Sequence, residues 1–243
     1  MMQKEYLNEQ DAFFCRMQKQ HTKRVEEIKK GNSPLSYTNE GILVVHLFPH
    51  ECQLGRSVFS GAQLKAAGAK LPPLGRNSQG NSKFNVDGLL NFESWNEIST
   101  YSQIYRDGHV EGVATRIAWE NCRDVNEGET PPKYLRETTC EEAMLGLVPA
   151  SLDYFEAMDF EPNVWCFSSV IDCKDARVGA RTHWHDEARN VIDRTPAHLP
   201  EFIIESKDCA EKLRGWCDSL WQAGGLEASP NFNENGEHRP ARR

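Results

Sequence analysis

Apolar positions recur along this chain with two different periods, and their alternation lays out helices and strands in turn. Near the amino terminus Leu7, Phe14, His21 and Ile28 recur at heptad spacing, and Met17 and Val25 fill the same stripe. That spacing predicts a helix over residues 5–30, ended by Gly31, Asn32 and Pro34. The run from Ile42 through Val45, continued by His46, Leu47 and Phe48, predicts a strand covered on both faces and closed by Pro49. An Ala-rich stretch over 60–70 predicts a short helix. Residues 71–83, rich in Pro, Gly, Asn and Ser, predict a loop.

The centre reads as a meander. Residues 89–95 form one strand. Residues 101–106 alternate large and polar side chains, Asp107-Gly108 supplies a two-residue turn, and 109–117 return as the partner strand, with Gly112 marking a bulge. A polar connection over 121–137 follows. Thr139 and Glu142 resemble a capping box opening a helix whose apolar face carries Met144, Leu147, Val148, Leu152 and Phe155, and Pro149 predicts a kink in it. Residues 164–171 read as a buried strand, 174–200 as irregular, 199–204 as a short strand and 208–223 as the last helix, stopped by Gly224-Gly225. The pattern therefore predicts an α+β fold: an antiparallel meander or mixed sheet packed with an N-terminal helix, a central kinked helix and a C-terminal helix. The expected divisions are an N-terminal helix over 1–32, one α+β domain over 33–228 and a polar, disordered tail over 229–243.

Composition narrows the function classes. The chain has 243 residues, of which 39% are apolar and 26% charged, a globular balance. A net charge of −8 argues against a surface built mainly to track phosphates. No apolar run approaches the ~20 residues of a membrane span. The amino terminus is charged from Lys4 onward and lacks the apolar core of a secretory leader. Eight scattered cysteines without a C-x-x-C pair then predict reduced thiols and a cytoplasmic location.

No stretch reads as a catalytic site. His46 and His50 with Glu51 would share a face only on a helix, and here they lie on and after a strand, so His46 is expected as a buried, hydrogen-bonded residue. A weak ligand patch is drawn from His46, Tyr101, Gln103 and Arg106, although strand alternation puts Arg106 on the opposite face from Tyr101 and Gln103. A rival reading is a zinc-dependent hydrolase centred on His183, His185 and Asp186, because H-x-H on a strand places both imidazoles on one face. A third is nucleic-acid binding through a local basic patch of Lys23, Arg24, Lys29 and Lys30. Cys52 follows His50, but adjacency in sequence does not orient a base onto a thiol.

Five short motifs occur in order: ILVVHLFP at 42–49, FNVDGLLNFES at 84–94, YSQIYRDGHVEGV at 101–113, LPEFIIES at 199–206 and LWQAGGLEASPNFNENGE at 220–237. In that order they resemble the C-terminal region of bacterial AlbA-like, Schlafen-type putative DNA-binding (also ATP-binding) proteins. The resemblance spans 11–238 and is weaker over 118–198. His50-Glu51 and Pro149 depart from it. It implies that the nucleic-acid-binding module precedes this region, so no nucleic-acid-contacting residue carries over. The resulting expectation is a non-catalytic ligand-binding or protein-interaction domain of sensor or accessory type. It would act with a protein partner or by self-association through 5–30, would touch nucleic acid only through an AlbA-like module, and would use neither membrane nor cofactor.

Overall fold

The computed structural model describes residues 2–34, 40–52, 59–78, 80–94, 98–121, 130–179 and 190–240. It is α+β, with a seven-stranded antiparallel sheet at its centre. The elements in chain order are α1 (Met2–Lys29), β1 (Ile42–Pro49), α2 (Gly61–Gly68), β2 (Asn81–Phe84), β3 (Gly88–Ser94), β4 (Ile98–Tyr105), β5 (Val110–Thr115), β6 (Ala118–Glu120), β7 (Lys133–Leu135), α3 (Glu137–Ala157), β8 (Val164–Ile171), β9 (Ala197–Ile204) and α4 (Ala210–Gln222). The strand order is β2-β3-β4-β5-β1-β8-β9, and β6 with β7 forms a separate two-stranded ribbon.

Strand β1 lies inside the sheet and is buried along its whole length, as its apolar run requires. Alternation sends Leu43, Val45 and Leu47 into the core shared with α2, α3 and α4. Ile42, Val44, His46 and Phe48 point to the opposite face, where α1 lies. On α1 the side chains of Phe13, Met17, His21, Val25 and Ile28 are buried. Their three- and four-residue spacing puts them on one face of the helix. The apolar stripe of this helix is therefore packed on the sheet. From Phe13 to Ile28, α1 covers this face of the sheet. No helix among the described residues is long and apolar enough to cross a membrane.

Several local expectations need correction. The hairpin between β4 and β5 turns through three residues, Arg106, Asp107 and Gly108, with Tyr105 N–H donating to the His109 carbonyl at 3.0 Å. Gly108 takes φ +94°, the left-handed position of a three-residue turn. Gly112 marks no bulge: β4 and β5 pair without a register shift. Its bare Cα instead leaves room for Leu147 and Leu74, since a Cβ there would lie 2.6 Å from the Leu147 side chain.

Helix α3 runs unbroken through Pro149. The proline is on the exposed face, where the carbonyl it frees can meet water. This helix starts at Glu137, and its N-cap, Arg136, makes no side-chain cap. The reciprocal capping box belongs to α2, where Ser60 and Gln63 exchange bonds.

The tail is not disordered over 229–240. Glu141 of α3 is fully buried. Its carboxylate accepts from Trp221 Nε1 at 2.8 Å, Ser229 Oγ at 2.5 Å, Asn231 Nδ2 at 2.6 Å and His238 Nε2 at 2.9 Å. The polar composition that suggested a solvated tail is the donor set of a buried acid.

Gly88 opens β3 at φ +150°, and a Cβ would sit 2.1 Å from the Ile104 carbonyl oxygen. Gly88→Ala is expected to cost about 1–3 kcal/mol in urea unfolding, because backbone rather than a flexible side chain must move. An unchanged midpoint would show that the β3–β4 register is softer than this geometry implies.

Candidate functional site

The centre of the α1 side of the sheet holds a fully buried carboxylate, Glu111 of β5. Register brings its donors together. Glu111 is the cross-strand partner of Gln103 on β4 and of His46 on β1. Tyr101 and Tyr105 flank Gln103 two positions away, on the same face. From above, α1 lowers Arg24.

Each oxygen of Glu111 is filled. Oε2 accepts from Arg24 Nε at 2.7 Å, His46 Nε2 at 3.0 Å and Tyr105 Oη at 3.2 Å. Oε1 accepts from Tyr101 Oη at 2.6 Å and Arg24 Nη2 at 3.1 Å. Burial alone would push the Glu111 carboxyl up, but the hydrogen bond from His46 and the charge of Arg24 hold it well below the usual carboxylate range. Burial and the neighbouring carboxylate push both tyrosines up, so they stay protonated and donate. Burial alone would lower Arg24, but Glu111 outweighs it and raises the guanidinium, which also donates to the Asn32 carbonyl at 2.8 Å.

A hydrogen-bonded chain leaves this centre. His46 spends Nε2–H on Glu111, so its Nδ1 is the bare acceptor. His21 Nδ1 lies 2.8 Å away and must be the donor. Its Nε2 then accepts from Ser169 Oγ at 2.7 Å, and Ser169 in turn accepts from His198 Nδ1 at 2.7 Å. Every donor points toward Glu111, and the outer end, His198 on β9, is exposed. Burial lowers both His21 and His46. Geometry agrees, because a second proton on His46 would have to enter the one gap that His21 Nδ1–H already fills.

A second cluster lies beside the first. His109 stacks on Tyr105 with centroids 4.0 Å apart and packs against Phe48 at 5.0 Å. Its Nδ1 is 2.5 Å from Asp107 Oδ1. The buried Cys52 sulfur lies within 4.8 Å of an Asp107 oxygen and of a His109 ring nitrogen, and burial pushes that thiol well up. A thiol held protonated in this way is no nucleophile for a histidine base.

Two clefts open on either side of α1. One, of about 480 Å³, lies toward the β4–β5 hairpin and is lined by Lys19, Lys23, Arg24, His46, Tyr105 and His109 among others. The other, of about 440 Å³, lies toward β8 and β9 over His21, Phe167 and His198.

Of the residues proposed for ligand binding, His46 and Tyr101 meet on Glu111. Gln103 lies on the same face, but its amide bonds Asn85 at 2.7 Å and the Leu89 and Ile104 carbonyls. Arg106 is in the turn, donating to the Val86 carbonyl at 3.0 Å. The four do not form one patch. Of the basic residues, Arg24 is committed to Glu111, and Lys23 lies 3.8 Å from Glu27. His183, His185 and Asp186 lie outside the described residues. Glu111 itself went unrecognised, although a lone acid between Val110 and Val113 in a predicted strand was its signal. His21, inside an apolar helical stripe, was another.

Removing the charge tests the centre. Glu111→Gln removes the close counter-charge of Arg24, leaving it only Glu27 at 3.4 Å, and is expected to cost about 3–5 kcal/mol in chemical denaturation; a loss below about 1 kcal/mol would mean that Arg24 is adequately paired and solvated without it. The histidines set a second expectation. Both have folded pKa values below the ordinary 6.5, so the unfolded chain binds more protons as pH falls. Stability is complete above about pH 6.5 and declines below it, by up to about 1.4 kcal/mol per pH unit for each histidine. Denaturation midpoints between pH 8 and pH 5 check the sign, and His21→Gln should flatten the decline.

No family model, no curated protein and no solved structure matches this chain. The resemblance to AlbA-like proteins stands on the five motifs alone.

Proposed function

We propose that the chain is a non-catalytic ligand-binding or protein-interaction domain of sensor or accessory type, working in the cytoplasm beside an AlbA-like putative DNA-binding module. The observation that carries the reading is the saturation of Glu111. A general base needs a lone pair free for the proton it takes, and this carboxylate has both oxygens occupied from α1, β1 and β4. Such a centre holds α1 against the sheet. Among the described residues, two surfaces open to a partner or ligand are the clefts flanking α1, whose floors are the ends of the same network. Occupation of either cleft would thus bear directly on how α1 is seated.

Contact with nucleic acid is indirect on this reading. The net charge is −8, and one of the basic candidates, the half-buried Arg24, is spent on Glu111. A reducing compartment suits six buried cysteines. The order of the five motifs favours an AlbA-like partner.

Two measurements test this together. Sedimentation of the chain with an AlbA-like protein encoded beside it should show a complex, with hydrogen-exchange protection gained along residues 13–28. Fluorescence anisotropy of a labelled duplex with the chain alone should show binding no tighter than the non-specific range of about 10⁻⁴–10⁻⁶ M. Absence of any complex removes the partner. Tight, salt-dependent binding by the isolated chain would replace the reading with direct recognition.

A further inference from the structure

The cluster of Cys52, Asp107 and His109 makes no bond to Glu111, and its chemistry differs from that of the Glu111 centre. We propose that these three residues bind a single borderline-soft divalent cation, Zn²⁺ by preference, joining the turn after β1 to the β4–β5 hairpin.

Convergence is the first argument. One ligand atom from each residue, the Cys52 sulfur, an Asp107 oxygen and a His109 ring nitrogen, lies within 4.8 Å of both others, and all three residues are buried. The scaffold around them is fixed. Cys52 N–H donates to the Pro49 carbonyl at 2.9 Å, and Gly108 N–H closes the hairpin onto the Tyr105 carbonyl at 2.9 Å. Ring stacking on Tyr105 and Phe48 sets the plane of His109. The donors therefore come from two segments far apart in sequence, each positioned before any ion arrives.

Charge is the second argument. A thiolate, a carboxylate and a neutral imidazole around a divalent ion sum to zero, the balance a buried site needs. The donor set also selects the ion. Sulfur with imidazole favours zinc or its analogues over Mg²⁺ and Ca²⁺, which take oxygen shells. Three protein donors fill three of the four positions of a tetrahedral ion and leave the last to water.

The proton balance is explicit. Cys52 loses its S–H proton to solvent, while the Nδ1 proton that His109 shares with Asp107 passes to the other ring nitrogen, so the imidazole stays neutral. Asp107 is already ionised, so about one proton leaves per ion bound. The Asp107 oxygen and His109 nitrogen, 2.5 Å apart across their shared proton, separate by under about 1 Å to reach the edge of a tetrahedron with ~2.0–2.1 Å bonds. The other ring nitrogen of His109 lies 3.4 Å from the Gln20 amide of α1, a partner that can turn its oxygen to accept once that nitrogen carries the proton.

Titration of the chelator-treated full-length chain with Co²⁺ tests the site. The expected result is about one equivalent bound, with thiolate-to-cobalt absorption in the near ultraviolet and tetrahedral ligand-field bands, both displaced by Zn²⁺. Cys52→Ser should abolish the thiolate band, and Asp107→Asn should weaken Co²⁺ binding at least about tenfold. Cys15→Ser and His183→Ala should leave both unchanged. The wild-type spectrum serves if a variant fails to fold: absence of a thiolate band in it overturns the proposal. So does a band that survives Cys52→Ser, or one that His183→Ala abolishes, because the ion would then sit elsewhere. None of these outcomes depends on an AlbA-like partner.

Discussion

A carboxylate with no access to water dominates this molecule. Taking Glu111 out of solvent costs several kcal/mol, and only hydrogen bonds and an opposite charge offset that cost. The donors that supply them come from α1, β1 and β4. Each must be in place for the charge to be tolerated: β1 in register beside β5, the two tyrosines on the same face as the acid, and α1 seated so that Arg24 reaches down. Apolar contacts hold the layers together, but they would accept a helix shifted or rotated by a few degrees. The charged centre would not. Burial of Met17, Val25 and Ile28 gives α1 its affinity for the sheet, while Arg24 and His21 give it a single position.

The other end of the chain is secured in the same way. Glu141 is as deeply buried as Glu111 and is satisfied by Trp221 of α4 together with Ser229, Asn231 and His238. Arg239 N–H adds a bond to the Asn231 carbonyl, and Arg214 lies over Phe232. Two buried acids, on opposite faces of the sheet, thus each fasten one terminal segment. In both cases the segment carries part of the donor set and the sheet or a core helix carries the acceptor.

Much of the architecture was legible in residue pattern. The continuous apolar run at 42–48 could only be a doubly covered strand, and the stripe through Phe14, Met17, His21, Val25 and Ile28 could only be one helical face. The site was less legible, and a single residue in a turn shows why. Had the hairpin turned through Asp107 and Gly108 alone, Arg106 would face His109, and Glu111 would pair with Ile104 on the side of α3. The third turn residue moves the register by one and brings Glu111 to the tyrosines. Sequence alone does not state which loop length the hairpin uses. His46 was readable as buried but not as a donor, because its acceptor lies 65 positions away. The tail misled for a related reason. Asn231 and His238 look like solvated residues until Glu141, 90 or more positions earlier, is placed beside them.

Sequence separation also bears on how the chain comes to be folded. Helix α1 is made well before β8, part of the floor it rests on, and His21 meets Ser169 across 148 positions. Strand β1 also waits for one of its two neighbours, Ile42 pairing with Ile171. At a synthesis rate of ~5–20 residues per second, roughly 7–30 s pass before the helix can dock. During that interval its apolar face is uncovered and Arg24 has no carboxylate to meet. The nascent chain therefore presents an amphipathic segment to the chaperones and membranes around the ribosome. The late arrival of residues 164–171 marks the moment when that exposure ends.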